Sequence, residues 1–175
     1  MPTSVSAATE SGPRSHDHAE CRDKALHAAE HVCADRGVRL TPIRRNVLEL
    51  IWESHRAVKA YDLLDRLRSL ERSAKPATVY RALEFLLKQG LIHRVESLNA
   101  FIGCNSSERP HEELLLICSE CHEVEERHGA QVTEAVAREL EQAGFTLHHK
   151  AIEVHGVCAH CTASQRGHRP ASHDA

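Results

Sequence analysis

Two pairs of cysteines with the spacing Cys-x2-Cys most constrain how this 175-residue chain can fold. The first pair is Cys118 and Cys121, the second is Cys158 and Cys161, and 36 residues separate the pairs. Zinc takes four ligands in a tetrahedron, and each pair supplies two thiolates. A strand, a helix and a returning strand fit between the pairs. We therefore predict a closed, structural zinc site whose loss unfolds this half of the chain.

A thioredoxin-like redox pair is the alternative for either cysteine motif. A single redox pair would not require a second motif, so zinc is favoured. The chain has no stretch of the roughly 18 apolar residues that span a membrane, and its start does not resemble a secretory signal. We expect a cytoplasmic protein, in which the seven cysteines serve as ligands or redox groups rather than disulfides.

The charge is divided unevenly along the chain. Residues 21–100 carry 15 Lys and Arg against 10 Asp and Glu, a balance of +5, whereas residues 101–161 carry 4 against 11, a balance of −7. A basic half joined to an acidic half indicates different partners for each.

The basic half has the pattern of four helices and a hairpin. Helices are predicted at about 22–36, from Thr41 and Pro42 onward, at about 60–71, and from Pro76 to Gly90, because cap residues and apolar spacing coincide there. Residues 91–104 alternate loosely, as a two-stranded ribbon does. Short helices followed by a hairpin predict a winged helix-turn-helix. The inward positions of the third and fourth helices are predicted to be Leu63, Leu64, Leu67, Leu70, Val79, Leu83, Leu86 and Leu87.

The acidic half is predicted to be a small α/β dimerisation domain, which makes the fold class α+β. Strands are expected at 114–118, around Val124 and at 145–157, with a helix at about 130–143 that turns Val132, Val136 and Leu140 inward. The predicted organisation has five parts. These are a tail without fixed structure (1–20), the winged-helix domain (21–104), a hinge (105–110), the metal-binding dimerisation domain (111–162) and a second tail (163–175).

The start of the fourth helix carries candidate DNA-reading residues. Thr78, Tyr80 and Arg81 lie off the apolar stripe near the helix N-terminus, where recognition helices present base-reading side chains. Arg81 is suited to guanine, and Tyr80 to a thymine methyl. Arg39, just before the second helix, could reach a phosphate or the minor groove, and Tyr61 begins the third helix on the same side. An ordinary solvated helix end is the alternative.

Several motifs together resemble the ferric-uptake-regulator family, and within it the zinc uptake branch. The resemblance covers residues about 22–162. It implies a homodimer that represses transcription by binding AT-rich, pseudo-palindromic double-stranded DNA when loaded with metal, with Tyr61 and Arg81 as principal base contacts. The motifs are Arg39-Leu-Thr-Pro, Ala60-Tyr61-Asp62-Leu-Leu, Thr78-Val-Tyr-Arg-Ala-Leu, His93-Arg-Val-Glu-Ser and the paired cysteine motifs.

The resemblance also implies a regulatory zinc site between the halves, formed by His93, Cys104, His111 and Glu126. With the four-cysteine site, this gives two zinc ions per subunit. Imidazole, thiolate and carboxylate suit zinc by softness and charge. Other carboxylates are alternatives to Glu126, because Glu125 adjoins it and because Glu112 and Glu113 adjoin His111.

Several other functions remain as alternatives. An iron or peroxide sensor of the same family would favour harder ligands than Cys104. A zinc buffer or metallochaperone would use the 15 His and seven Cys without DNA, and a thiol oxidoreductase would use one cysteine motif. The chain lacks a nucleophile elbow and a phosphate-binding glycine loop, so we expect neither an enzyme nor a small-molecule substrate.

Overall fold

The structure, a computed structural model, describes residues 18–107, 113–146 and 151–167. The first part contains four helices: α1 (His18–Asp35), α2 (Pro42–Ile51), α3 (Ala60–Leu70) and α4 (Pro76–Lys88). Their apolar faces meet in one core that includes Val47, Ile51, Leu63 and Leu86. The α+β class and the helical first half predicted from the sequence are confirmed.

Prolines and a glycine set the bounds of the helices. Pro42 and Pro76 occupy the first turns of α2 and α4, where a missing N–H costs nothing. Thr41 stands at the N-cap of α2, as predicted, although its side chain makes no capping hydrogen bond. Gly90, with φ of +65°, follows α4 in the left-handed conformation that glycine adopts without strain.

An antiparallel wing follows the helices. It consists of β1 (Ile92–Val95), a 3-10 turn (Glu96–Leu98) and β2 (Ala100–Gly103). Asn99 has φ of 47° and turns the chain back into β2. The predicted ribbon at 91–104 is thus present, and it ends next to Cys104.

The second half is built on a sheet with the strand order β4-β3-β5. The strands β3 (Glu113–Cys118) and β4 (Val124–His128) are antiparallel, whereas β5 (Ala151–Gly156) runs parallel to β3. The parallel pair is connected through α5 (Ala130–Gln142), because parallel neighbours need a long crossover. A last helix, α6 (Ala159–Gly167), follows β5.

The wing and the sheet share a second apolar core. Val95 and Ile102 of the wing pack with Leu115, Ile117 and Val124 of the sheet. The loop after α2 adds a separate contact with the sheet, since the N–H of Val124 donates to the carbonyl of His55 at 3.0 Å. The wing therefore joins the two halves as well as completing the first.

Three predicted inward positions are wrong. Leu70 is 66% exposed, because α3 ends at this residue and none of the described elements covers it. Val132 and Val136 are 44% and 37% exposed, because the inner face of α5 is formed around Thr133 instead. Leu87 is only partly buried against the core. An apolar side of α5 thus lies on the surface of a single chain.

Several bounds also differ from the predictions. Helix α1 begins at His18, inside the predicted first tail, and α6 extends to Gly167, inside the predicted second tail. Phe145 is 63% exposed and precedes β5 rather than joining it. Of the predicted hinge, residues 105–107 form a turn, and the remainder lies outside the described residues together with His111. None of the described helices is both long and apolar enough to cross a membrane.

Candidate metal centres

Four cysteines meet where the parallel strands end. Cys118 is the last residue of β3 and pairs with Gly156 at the end of β5, so the segments that follow both strands start side by side. Cys121 lies in the turn after β3, Cys158 directly precedes α6, and Cys161 lies in the first turn of α6. The four sulfur atoms lie within 4.8 Å of one another.

The spacing of these sulfur atoms fits zinc. Tetrahedral ligands with Zn–S bonds of about 2.3 Å place their sulfur atoms roughly 3.8 Å apart. The Sγ atoms of Cys118 and Cys161 are 3.9 Å apart, and those of Cys121 and Cys158 are 3.8 Å apart. The N–H of Cys158 also donates to the sulfur of Cys118 at 3.4 Å. The ligand set is complete within the chain and leaves no position for a substrate, as expected of a structural site.

The thiols of this cluster do not ionise alike. Backbone hydrogen bonds from Cys121 and Cys158 lower the pKa of Cys118 to about 6. Hydrogen bonding with the Cys158 thiol and, to a smaller extent, burial raise the pKa of Cys161 to about 12. Thiolates this close repel one another, so a bound cation is the natural means of ionising all four.

A second group joins the two halves of the chain. His93 from β1, Cys104 after β2 and Glu126 from β4 place their ligand atoms within 4.8 Å of one another. His93 Nε2 lies 3.0 Å from Glu126 Oε1, and both side chains are only 4% exposed. The sulfur of Cys104 lies 4.0 Å from the same oxygen. Nitrogen, sulfur and oxygen therefore converge on one buried point.

Backbone groups hold this second group in place. The N–H of Asn105 donates to Glu126 Oε2 at 2.8 Å, and the N–H of Ser106 donates to the sulfur of Cys104 at 3.4 Å. Glu125 points to the opposite face of β4, where it pairs with Arg127 at 2.7 Å. The structure thus brings together three of the four residues proposed for the regulatory site and separates Glu125 from them. His111 is outside the described residues.

The residues proposed for DNA reading lie on the surface of the helical half. Tyr61 is 69% exposed and Tyr80 is 56% exposed. Arg39 and Arg81 are also exposed, and Thr78 is half-buried. Aromatic rings and guanidinium groups that are exposed, rather than in the core, are available for contact with DNA.

Sequence reasoning missed Arg44, which supports this surface. Its guanidinium lies 3.6 Å from the centre of the Phe85 ring, and its Nη1 donates to the carbonyl of Arg39 at 2.6 Å. Arg44 also lines a shallow cleft with Thr78 and Arg81. The ring that holds it lies on another helix, so helical spacing along the sequence did not identify the pair.

These features define a class: a winged-helix protein whose wing is joined to a small α/β domain at a candidate metal site. A model of the ferric uptake regulator family matches residues 35–155. The chain belongs to this family.

Known relatives are similar in sequence to most of this chain. The zinc uptake regulation protein of Escherichia coli (strain K12) is 44% identical over 146 residues, which are 83% of this chain and 85% of that protein. The peroxide operon regulator of Bacillus subtilis (strain 168) is 26% identical over 140 residues, 80% of this chain and 95% of that protein. These relatives are regulators rather than enzymes, in agreement with the sequence-based prediction.

Solved structures agree with the fold. A zinc uptake regulator complexed with zinc and DNA is 44% identical and superposes with a TM-score of 0.77, covering 83% of this chain and 97% of that chain. A crystal structure of holo XcZur is 42% identical, with a TM-score of 0.73 and coverage of 81% and 99%.

Proposed function

We propose that this chain is a zinc-responsive repressor of zinc uptake genes, a cytoplasmic protein that binds operator DNA when zinc occupies the site between its halves. The observation that carries the proposal is the convergence of His93 and Cys104 from the wing with Glu126 from the sheet. Because the ligands come from both halves, binding of the metal and the relative position of the halves are linked. The relative from Escherichia coli and the structure with zinc and DNA support the same function.

The donor set favours zinc over iron. Cys104 is a soft ligand and Glu126 a hard one, a mixture that zinc accepts at a tetrahedral site. Cys104 and Glu126 together neutralise a divalent cation within a site where the three side chains are largely buried. His111 is proposed as the fourth ligand. With the four-cysteine site, each subunit would hold two zinc ions.

The helical half is proposed to read AT-rich, pseudo-palindromic DNA. Arg81 and Tyr61 would contact bases, and Tyr80 and Thr78 would lie beside them. Arg39 would contact the DNA backbone. Arg44 keeps the loop before α2 in place through the carbonyl of Arg39. The excess of basic residues in this half, +5 over residues 21–100, supports binding to phosphates.

The second half is proposed to form a homodimer. The exposed Val132 and Val136 on α5 and Val154 on β5, which is 46% exposed, leave apolar surface that a second copy would cover. Two winged helices related by a twofold axis would then match a palindromic operator.

A zinc titration tests the function. The full chain is treated with chelator until only tightly held zinc remains, and zinc is then added while bound metal and anisotropy of AT-rich palindromic DNA are followed together. We expect DNA binding to appear only as the second zinc per subunit binds, with iron(II) and manganese(II) ineffective. DNA binding that follows iron would support an iron sensor. Metal binding without DNA binding would support a zinc buffer.

A further inference from the structure

A second contact between the wing and the sheet lies away from the metal ligands. Glu153 of β5 accepts two backbone hydrogen bonds from the 3-10 turn at the tip of the wing. The N–H of Glu96 donates to Oε1 at 2.6 Å, and the N–H of Ser97 donates to Oε2 at 3.1 Å. His155, two residues along the same strand, lies 3.1 Å from the hydroxyl of Ser97 through its Nε2.

The position of Glu153 follows from the register of the sheet. Leu115 on the central strand pairs with Glu126 on one side and with Glu153 on the other. Side chains in register on neighbouring strands point to the same face, so both glutamates and Leu115 face the wing. Leu115 is fully buried beneath Val95 and Ile102 of the wing. The carboxylates of Glu126 and Glu153 therefore lie on opposite sides of Leu115 and contact different parts of the wing.

Glu126 and Glu153 contact different kinds of group. Glu126 faces His93 and Cys104, which are candidate metal ligands. Glu153 accepts hydrogen bonds from the N–H groups of Glu96 and Ser97, which have no hydrogen-bond partner within the 3-10 turn. Its hydrogen bonds are charge-assisted and need no metal.

We infer that Glu153 is a positioning residue for the proposed zinc response: it clamps the tip of the wing to the sheet in the absence of regulatory zinc and so keeps His93 and Cys104 close to Glu126. The effect of Glu153 on regulatory zinc rests on the proposed function. The hydrogen bonds that clamp the wing to the sheet do not depend on that proposal. Pre-organised ligands bind metal more tightly, because less of the binding free energy is used to order them.

The clamp is tested in the full chain with the four-cysteine site filled and no added zinc. We expect hydrogen exchange at the amides of Glu96 and Ser97 to be slow in the wild-type chain. In Glu153→Ala these amides should exchange at least about tenfold faster, with Glu153→Gln in between because its amide oxygen still accepts one bond. Equal exchange in the wild type and Glu153→Ala would overturn the clamp. The control is Glu141→Ala, which removes an exposed carboxylate from α5.

The consequence is tested by competition for zinc with a chromophoric chelator. Glu153→Ala should weaken the second zinc per subunit by about 3- to 10-fold, leave the first unchanged, and retain wild-type DNA affinity at saturating zinc. An unchanged second affinity would overturn the positioning role. If DNA binding of the wild type ignores zinc, the proposed function fails, and the exchange measurement still decides the clamp.

Discussion

The indole ring of Trp52 occupies the space that a side chain at residue 103 would need, so only glycine fits there. A Cβ on Gly103 would lie 2.1 Å from Cε2 and 2.4 Å from Nε1 of Trp52. Trp52 caps the C-terminus of α2 and is 7% exposed, and Gly103 directly precedes Cys104. The end of a DNA-binding-domain helix therefore sets the position of a candidate metal ligand.

Gly103→Ala should move β2 away from Trp52. We expect a loss of about 1–3 kcal/mol in the free energy of unfolding, because an added methyl group overpacks the core. The second zinc should also bind more weakly, since Cys104 moves with the strand. Thermal melting measures the loss of stability, the emission of Trp52, the only tryptophan, reports the change in its surroundings, and competition with a chelator measures the second zinc. Gly156→Ala is the control, because a Cβ there meets open space. Equal effects of the two substitutions would contradict the prediction.

Cys104→Ser should remove the zinc response while preserving the fold. The hydroxyl is a poor substitute for a thiolate, and we expect the second zinc to bind more than about 100-fold more weakly. The four-cysteine site is separate, so the first zinc and the circular dichroism spectrum should not change. Metal analysis and a gel-shift titration measure these quantities. A wild-type zinc response in the variant would remove Cys104 from the proposed site.

Arg81→Ala should weaken operator binding by about 1–3 kcal/mol and relax sequence preference. The reason is the loss of the proposed bidentate contact to guanine. Anisotropy titrations on operator and on scrambled DNA at one salt concentration measure the difference. An equal loss on both DNAs would make Arg81 a phosphate contact instead. Arg138→Ala, which removes the same charge from exposed α5, serves as the control.

Val136→Asp should convert the proposed dimer to monomers. Burying an unpaired carboxylate in an interface costs several kcal/mol, which corresponds to more than about 100-fold in the dissociation constant. Light scattering coupled to gel filtration measures the mass. Gln142→Asp adds the same charge at another exposed position of α5 and should remain dimeric. A dimer that persists in Val136→Asp would place the interface elsewhere.

The contribution of Glu153 to stability should depend on pH. Burial raises its pKa, but hydrogen bonds from the Ser97 side chain and from the N–H groups of Ser97 and Glu96 lower the pKa overall, below its ordinary value of 4.5. A carboxyl with a lower pKa in the folded chain stabilises the fold above its unfolded pKa and loses this effect as pH falls through the folded pKa. The difference in Tm between wild type and Glu153→Gln should therefore shrink from pH 7 to below pH 4. A difference that does not change with pH would contradict this.

The sequence predicted those parts of the fold that depend on local signals. Pro42, Pro76 and Gly90 marked the ends of helices because proline and glycine restrict the backbone directly. The exposure of Val132 and Val136 was not predicted, because apolar spacing identifies an apolar face but not the surface that covers it. The same limit applies to Leu70, which keeps the helical spacing but is the last residue of its helix and lies on the surface.

The candidate metal site was predicted through resemblance more than through spacing. His93, Cys104 and Glu126 are far apart in the sequence, and only the packing of the wing on the sheet brings them together. Glu153 was missed for the same reason, since its partners are backbone N–H groups and carry no side-chain signal. The cysteine pairs were visible because both ligands of each pair are local.

The apolar core shared by Val95, Ile102 and Leu115 gives the zinc response a temperature dependence. Any separation of the wing from the sheet exposes these side chains to water. The free energy gained by apolar burial is largely entropic near 25 °C and weakens on cooling. Cooling therefore weakens the apolar part of the contact between the wing and the sheet. If the proposed site between the wing and the sheet controls DNA binding, the zinc concentration needed for the response should depend on temperature as well as on the ligands.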